Sequence, residues 1–383
     1  MVALFLKKTV CALFLTLTLA VALSGHVLAS SSPPENSAKA AVVYCVNTGQ
    51  VLYRKNEEER LAMASTTKIM TALLTLEAAA VENKDVTITE EMTAVEGSSM
   101  GLKDGDVLPL RELAVGMLLV SGNDAANASA IAIDGSAERF AQRMNRRAEE
   151  LHLDNTHFVT PSGLDDDQHY STALDMAKLS AAAIANPDFR AICSQTTMQA
   201  AFTTPQKRVT LQNHNRLLQQ YEGCIGIKTG FTKKAGRCLV SAAERDGVLL
   251  VAVTLCDPDD WKDHASLLDY GFSKVEAASL PEDGEHREVA VVGGTADTVS
   301  VTTGPSQSPL VVERGKTVQC YWKLPRFVYA PVTEGDVLGK VVYQVDGATV
   351  GEVSLIASGD VPQQEQTIPP WQQAVRWIVA LFS

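Results

Sequence analysis

Three short polar motifs interrupt apolar segments of this 383-residue chain, and they constrain its fold more than any other feature. They are Ser65-Thr66-Thr67-Lys68, Ser121-Gly122-Asn123 and Lys228-Thr229-Gly230, in that order along the sequence. Each motif alone has an ordinary structural explanation, as a helix cap, a capping loop or an exposed hairpin. Together they form one catalytic set in which a lysine activates a serine. The fold must therefore bring three distant segments to one cleft.

The first motif lies at the amino end of a predicted helix, residues 65–80. Apolar side chains recur there at helical spacing, and no Gly or Pro interrupts them. Lys68 follows Ser65 by one turn, so its amine can reach the serine hydroxyl. A serine becomes a nucleophile when a base removes its proton. Lysine can be that base only where burial or a nearby cation lowers its pKa, and Lys228 is available as the cation.

The second motif is predicted to connect two buried helices. It comes after the apolar residues 113–120 and precedes a run of small residues, 125–132. Polar side chains in such a connection face a cleft rather than bulk water. There Ser121 can pass a proton to a leaving amine, and Asn123 can hold a substrate amide. A helix-capping loop is the alternative interpretation.

The third motif ends an apolar stretch, residues 224–227, and is predicted to lie on a strand at the edge of the cleft. Lys228 and Thr229 would face an anionic group there, and Gly230 would permit close backbone approach. Residues 231–236 are predicted to form a turn. Two further strands are predicted at residues 237–243 and 248–256.

The rest of the chain predicts a sheet built from distant segments, with helices packed beside it. Residues 40–46 and 50–54 indicate a hairpin, and an alanine-rich, largely helical block continues to about residue 201. A further helix is predicted over residues 261–272. From about residue 281, alternating Val, Thr and Gly residues indicate a separate all-β module. Its clearest hairpin joins residues 340–345 to 349–356 through Asp346-Gly347.

These features resemble the D-alanyl-D-alanine carboxypeptidases among the low-molecular-mass penicillin-binding proteins. Beyond the three motifs, the similar stretches are residues 63–70, 161–165, 169–173 and 226–236. The resemblance covers roughly residues 37–275 and, more loosely, the carboxyl-terminal remainder of the chain. It implies an α/β (α+β) β-lactamase/DD-peptidase-like catalytic domain, in which helices flank an antiparallel sheet. A small all-β domain and a C-terminal amphipathic helix would come next.

The resemblance also implies a reaction. Ser65 would attack the D-Ala–D-Ala carbonyl of a peptidoglycan stem peptide while Lys68 takes its proton, and Ser121 would relay the proton to the departing D-alanine. The expected substrate-binding residues are Asn123, Lys228, Thr229, Gly230 and Phe231. Backbone N–H groups of Ser65 and Phe231 would stabilise the oxyanion. β-Lactams would acylate Ser65 and leave slowly, and no cofactor or metal is expected.

Two rival functions remain open, and an acidic loop bears on the choice between them. A serine β-lactamase is the nearest rival, and a non-catalytic wall-binding or β-lactam-sensing protein is another. The loop at residues 164–171 contains Asp165, Asp166, Asp167 and His169, which suggest either acid–base or metal chemistry or a solvated loop. It lacks a Glu-x-x-Leu-Asn sequence, which argues against rapid β-lactam hydrolysis of the class A type.

The ends of the chain predict export and membrane attachment. Residues 1–29 combine a basic start, an apolar run and small residues at a cleavage site, as in a secretory signal peptide. A linker (30–37), the catalytic domain (38–275), the small β domain (281–362) and an amphipathic helix (369–383) are predicted after it. The formal charge of −12 argues against a nucleic-acid partner. We therefore expect an enzyme at the extracytoplasmic face of the cell membrane, held by its terminal helix, or a secreted one.

Overall fold

A computed structural model of the protein describes residues 32–278, 287–304, 309–365 and 370–381. Within these ranges, the residues from Glu35 onward form one compact unit. The predicted signal peptide lies outside the described residues. The predicted domain boundaries at residues 281 and 369 also fall outside them, and they remain predictions.

Helices and strands alternate in the first two thirds of the chain, and strands dominate the rest. A 3-10 turn, Ala64–Thr67, directly precedes the first helix. In the described ranges the helices are α1 (Lys68–Val81), α2 (Glu90–Thr93), α3 (Leu110–Val120), α4 (Asn123–Asp134), α5 (Ala137–Glu150), α6 (Ala173–Ala185), α7 (Pro187–Cys193), α8 (Leu217–Gln220), α9 (Asp260–Lys274) and α10 (Pro370–Leu381). The strands are β1 (Ala40–Cys45), β2 (Gln50–Lys55), β3 (Asp85–Thr87), β4 (Val107–Pro109), β5 (Thr197–Phe202), β6 (Lys207–Gln212), β7 (Cys224–Thr232), β8 (Gly236–Arg245), β9 (Val248–Leu255), β10 (Val275–Ala277), β11 (Arg287–Val292), β12 (Thr298–Thr303), β13 (Val311–Glu313), β14 (Gln319–Lys323), β15 (Phe327–Tyr329), β16 (Val337–Val345) and β17 (Ala348–Ala357).

The amino-terminal part of the described chain is built on a five-stranded antiparallel sheet in the order β2-β1-β9-β8-β7. Helix α6 packs against one face of β1 and β9, and α9 packs against the other. Strand β9 is buried at every position because both faces of the sheet are covered, so all of its residues except Thr254 are apolar. The predicted sheet, made from distant segments with helices beside it, is confirmed.

Two predicted elements are wrong in extent. The helical block ends at Cys193, and β5 and β6 then form a hairpin instead of a helix reaching residue 201. Ala200 and Phe202 of β5 join the main core, so tertiary burial overrides the helical preference of this alanine-containing segment. Strand β7 continues to Thr232, which leaves Phe231 in the strand rather than in the turn.

The carboxyl-terminal part is the predicted all-β module. Its six-stranded sheet has the order β14-β16-β17-β12-β11-β15. The predicted hairpin is present as β16 and β17, with Asp346 and Gly347 both at positive φ (51° and 81°), as a tight hairpin turn requires. A separate pairing of β10 with β13 links the end of α9 to this module.

Candidate active site

The serine of the first motif lies in a strained and tightly packed turn. Ala64 has φ +48°, and Ser65 follows it in the 3-10 turn before α1. Gly163 packs so closely that a Cβ there would lie 2.0 Å from the Ala64 carbonyl oxygen. Lys68 is fully buried, and its Nζ lies 3.0 Å from Ser65 Oγ and 2.6 Å from the carbonyl oxygen of Ser162. The turn therefore fixes the serine hydroxyl beside an amine.

The environment of Lys68 favours its neutral form. Burial is the largest cause and lowers the pKa of Lys68 well below its usual value. The neighbouring Lys228 lowers this pKa further, and Asp124 acts in the opposite direction. A neutral amine can accept the proton of a serine hydroxyl, which an ammonium cannot.

The second motif connects α3 and α4, as predicted, and presents polar atoms without partners. Ser121 ends α3 in the left-handed conformation, with φ 61°. Within the described residues, Ser121 Oγ and Asn123 Oδ1 are buried and have no hydrogen-bond partner. Asn123 Nδ2 donates to the carbonyl oxygen of Glu96 at 2.6 Å, which fixes the amide. Buried polar atoms left open in a native site are candidates for ligand contacts.

Asp124 supports the motif, and sequence analysis missed its role. Its buried carboxylate accepts hydrogen bonds from the backbone N–H groups of Met100, Gly101 and Leu102, and from Ser99 Oγ at 2.6 Å. The loop that precedes β4 is thereby held against the start of α4. The one local indication of this role was that Asp124 lies in the first turn of a helix, where the helix dipole stabilises a negative charge.

The third motif lies on the edge strand β7. Lys228 points into the protein: it is 2% exposed, and burial lowers its pKa to about 7. Its Nζ donates to the carbonyl oxygen of Thr229 at 2.7 Å. A Cβ added to Gly230 would lie 3.1 Å from the backbone nitrogens of Ser65 and Thr66, so glycine allows the strand to approach the serine.

One cleft of about 710 Å³ brings together residues of all three motifs. Ser65, Ser121, Thr229, Gly230 and Phe231 line it, and Phe231 is 65% exposed. The cleft also has walls that sequence analysis did not predict. They come from β6 and the residues after it, from the start of β8 and from the start of α9, and include His214, Arg216, Arg237, Asp260 and Trp261.

The residues of the acidic loop differ in their exposure to solvent. Asp165, Asp166 and Asp167 are exposed, as the solvated-loop interpretation predicted, and Asp165 accepts a hydrogen bond from Thr232 Oγ1. His169 is instead buried, contrary to that interpretation: its Nε2 lies 2.8 Å from Thr67 Oγ1, and burial lowers its pKa to about 4. The neutral imidazole therefore ties the loop to the turn that carries Ser65.

This fold and the three convergent motifs place the chain in the class of penicillin-binding serine hydrolases. The family model described as D-alanyl-D-alanine carboxypeptidase matches residues 27–259, and the C-terminal domain of penicillin-binding protein 5 matches residues 278–363. The chain belongs to the D-alanyl-D-alanine carboxypeptidase family. The predicted family, fold class and enzymatic function are thereby confirmed.

Similar proteins cover most of the chain. The D-alanyl-D-alanine carboxypeptidase DacF of Bacillus subtilis is 34% identical over 85% of this chain and 86% of its own length. The carboxypeptidase DacA of Haemophilus influenzae is 32% identical over 92% of both chains. Among solved structures, penicillin-binding protein 5 of Haemophilus influenzae matches with a TM-score of 0.63 at 30% identity, covering 87% of this chain and all of that one. The Streptomyces K15 DD-transpeptidase matches 63% of this chain and all of its own, with a TM-score of 0.61 and 32% identity.

Proposed function

We propose that the protein removes the terminal D-alanine from peptidoglycan stem pentapeptides through an acyl-enzyme on Ser65. One observation carries the proposal: Ser65 Oγ lies 3.0 Å from the buried amine of Lys68, at the edge of an open cleft. The curated relatives named above, DacF and DacA, are both called D-alanyl-D-alanine carboxypeptidases, which supports the reaction and its substrate class.

In the proposed acylation, neutral Lys68 accepts the proton of Ser65 while Oγ attacks the carbonyl carbon between the two D-alanines. The negative charge that develops on the carbonyl oxygen accepts hydrogen bonds from the backbone N–H groups of Ser65 and Phe231. The C–N bond then breaks, and Ser121 relays the proton to the departing amine. The unpartnered Ser121 Oγ in the site supports this role.

The remaining motif residues are proposed to position the substrate. Asn123 has a free Oδ1 that can accept a hydrogen bond from a peptide N–H. Gly230 and Phe231 lie on the strand edge beside Ser65, where an extended peptide can align. Thr229, together with the positive charge of Lys228, holds the terminal carboxylate, which explains selection for a chain end.

The acyl-enzyme is then cleaved by water, which releases the shortened peptide and restores Ser65. A β-lactam carries a reactive amide that mimics D-Ala–D-Ala, so it acylates the same oxygen. We propose that this adduct hydrolyses slowly, because the chain has no Glu-x-x-Leu-Asn sequence that would position a deacylating glutamate.

We also propose that the enzyme works outside the cytoplasm, attached to the membrane by α10. Trp371, Val375, Trp377 and Ile378 of this helix are all more than half exposed. In the part of the chain that the structure describes, no helix is both long and apolar enough to cross a membrane. Twelve residues span about 18 Å, against roughly 30 Å of hydrocarbon. Such a helix can lie in the interface with its tryptophans at headgroup level.

Release of D-alanine from a stem pentapeptide tests the proposed reaction. We expect the wild-type enzyme to liberate one D-alanine per pentapeptide and none from the tetrapeptide product, because the tetrapeptide has no D-Ala–D-Ala bond. Release of the last two residues together, or no release from the pentapeptide, would refute the proposed reaction.

A further inference from the structure

A second cationic group reaches the cleft from the strand next to the third motif. In the ladder between β7 and β8, Arg237 lies opposite Phe231, and Leu239 lies opposite Thr229. Thr229 and Phe231 are two residues apart on β7, so their side chains lie on the same face of the sheet. A long side chain opposite Phe231 can therefore reach Thr229 diagonally across the ladder. Arg237 therefore projects from the same face as Thr229, and both residues line the cleft that holds Ser65.

Asp260 and Trp261 hold the guanidinium of Arg237 in place. Its Nη2 donates to both carboxylate oxygens of the buried Asp260, at 2.8 and 2.9 Å. The group lies 5.7 Å from the ring centre of Trp261, within the range of a cation–π contact. Asp260 is itself fixed, because its Oδ1 accepts the backbone N–H of Trp261 at 2.9 Å. An arginine positioned in this way loses little conformational freedom when it binds an anion.

Part of this guanidinium remains open to the cleft. The Arg237 side chain is 43% exposed. Within the described residues, no hydrogen bond is found for its Nε or Nη1, although guanidinium carries five N–H donors in all. The guanidinium carbon of Arg216 lies 5.9 Å from the centre of the same ring, and Arg216 has no ion pair among the described residues. Because no carboxylate fixes Arg216, Arg237 is the better preorganised of the two.

The position of Lys228 contrasts with that of Arg237. The Lys228 amine is almost fully buried and already donates to the carbonyl oxygen of Thr229. An anion in the cleft would therefore meet Thr229 Oγ1 and the guanidinium of Arg237 first, with the Lys228 amine behind the strand. Charge-assisted bonds from a guanidinium to a carboxylate are among the strongest hydrogen bonds in proteins.

We propose that Arg237, positioned by Asp260 and Trp261, binds the terminal carboxylate of the substrate together with Thr229. This inference rests on the proposed carboxypeptidase function, and it adds a specificity-determining residue that lies outside the three motifs. Lys228 then contributes charge from behind β7 and acts on the pKa of Lys68, rather than contacting the carboxylate directly.

Substrates with and without the terminal charge test the role of Arg237. We would measure kcat/KM for a D-Ala–D-Ala peptide with a free carboxylate and for the same peptide with a terminal carboxamide. Arg237→Gln should lower kcat/KM for the acid by roughly 10- to 100-fold, the effect of losing hydrogen bonds between charged groups, and should leave the amide nearly unchanged. Arg237→Lys should restore part of the loss. The ratio between the two substrates does not depend on how much of each variant is folded.

Lys233→Ala is the matched control, because Lys233 is an exposed cation in the adjacent turn and does not line the cleft. It should keep the acid-to-amide ratio of the wild type. The inference is overturned if Arg237→Gln also keeps the wild-type ratio. It is also overturned if Lys233→Ala changes the ratio by the same amount, because the effect would then come from the general positive charge of this region.

A second substrate separates this inference from the proposed function. Acylation by penicillin and by its methyl ester can be compared in the same variants, without any release of D-alanine. A wild type that prefers the penicillin acid, with the preference lost in Arg237→Gln, supports the carboxylate site even if no D-alanine is released. In that case only the proposed carboxypeptidase reaction fails. An unchanged preference in Arg237→Gln overturns the role of Arg237.

Discussion

At the scale of single residues, two buried lysines decide the chemistry. Lys68 and Lys228 are both almost inaccessible to solvent, and burial lowers the pKa of each. Two ammonium groups so close also repel each other, and this repulsion lowers the pKa of Lys68 further. The site therefore holds an amine that is ready to accept a proton beside Ser65.

The first prediction concerns Lys68 as the base. Lys68→Arg should lower penicillin acylation by roughly 100-fold or more, because guanidinium stays protonated and cannot take the serine proton. Lys233→Arg, the same change at an exposed position outside the cleft, should have no effect. Stopped-flow acylation gives the rates, and thermal unfolding shows whether both variants fold. Near-normal acylation by a folded Lys68→Arg variant would rule out this role.

The second prediction follows from the pKa of Lys228, which is about 7 in the folded protein against a usual value of 10.5. Between these values the unfolded chain holds a proton that the folded protein lacks, so the free energy of unfolding rises with pH, by up to roughly 1.4 kcal/mol per unit. Below pH 7 both states are protonated, and the burial penalty is greatest.

Lys228→Met removes this titration. The free energy of unfolding of Lys228→Met minus that of the wild type should therefore be largest at about pH 6 and smaller at about pH 9, as measured by urea unfolding. The same difference at both pH values would mean that Lys228 is not deprotonated in the folded enzyme.

The sequence predicted the motif residues but not the residues that hold the site in position. Ser65, Lys68 and Lys228 were predictable because each belongs to a short motif with a chemical reason for its spacing. Asp124 binds backbone groups more than twenty residues earlier in the chain, and Arg237 meets Asp260 only because β8 lies beside α9. Such contacts depend on tertiary packing, which local patterns do not encode.

At the scale of secondary structure, the approach of β7 to the turn before α1 sets the width of the site. Gly230 allows this approach, since any side chain there would press on the backbone nitrogens of Ser65 and Thr66. Backbone atoms held by a helix start cannot move aside as easily as the end of a flexible side chain.

The third prediction is that Gly230→Ala displaces the oxyanion donors while the protein stays folded. A shift of a few tenths of an ångström to one ångström should lower acylation by roughly 10- to 100-fold. Gly359→Ala is the control, because a Cβ at that glycine would meet no atom within 4 Å. We would compare acylation rates and melting temperatures of the two variants. Equal acylation in both would show that the close approach does not matter.

The fourth prediction concerns α10. Deleting residues 369–383 should move the mature enzyme from the membrane to the soluble fraction while its activity on a soluble peptide stays unchanged. Attachment of the full chain to neutral vesicles should persist in high salt, because burial of apolar surface, not charge, provides the binding. Gln372→Ser, a change between two polar residues on the same helix, should bind normally. Continued sedimentation of the truncated enzyme with membranes would contradict the proposed attachment.

The secondary-structure elements differ in how well they could be predicted from the sequence. Strands β1 and β9 were clear because burial on both faces leaves a nearly continuous apolar pattern. The β5–β6 hairpin was missed, because Ala200 and Ala201 favour a helix locally and the core contacts that select a strand come from elsewhere in the chain.

At the scale of the whole molecule, the sheet order explains how one site is made from distant segments. The amino-terminal strands pair with β9, and this pairing brings β7 to the edge of the sheet beside the start of α1. The chain carries a formal charge of −12, yet Lys228, Arg216 and Arg237 all lie in or beside the cleft. A locally positive cleft in an acidic protein suits a substrate that ends in a carboxylate.

The most direct test of the central claim is intact-protein mass spectrometry with penicillin, run alongside D-alanine release by wild type and Ser65→Ala. The wild type should gain the mass of one penicillin, peptide mapping should place it on the fragment containing Ser65, and the pentapeptide should lose D-alanine. Ser65→Ala should do neither while it remains folded. An adduct on another residue, or D-alanine release by the Ser65→Ala variant, would contradict an acyl-enzyme on Ser65.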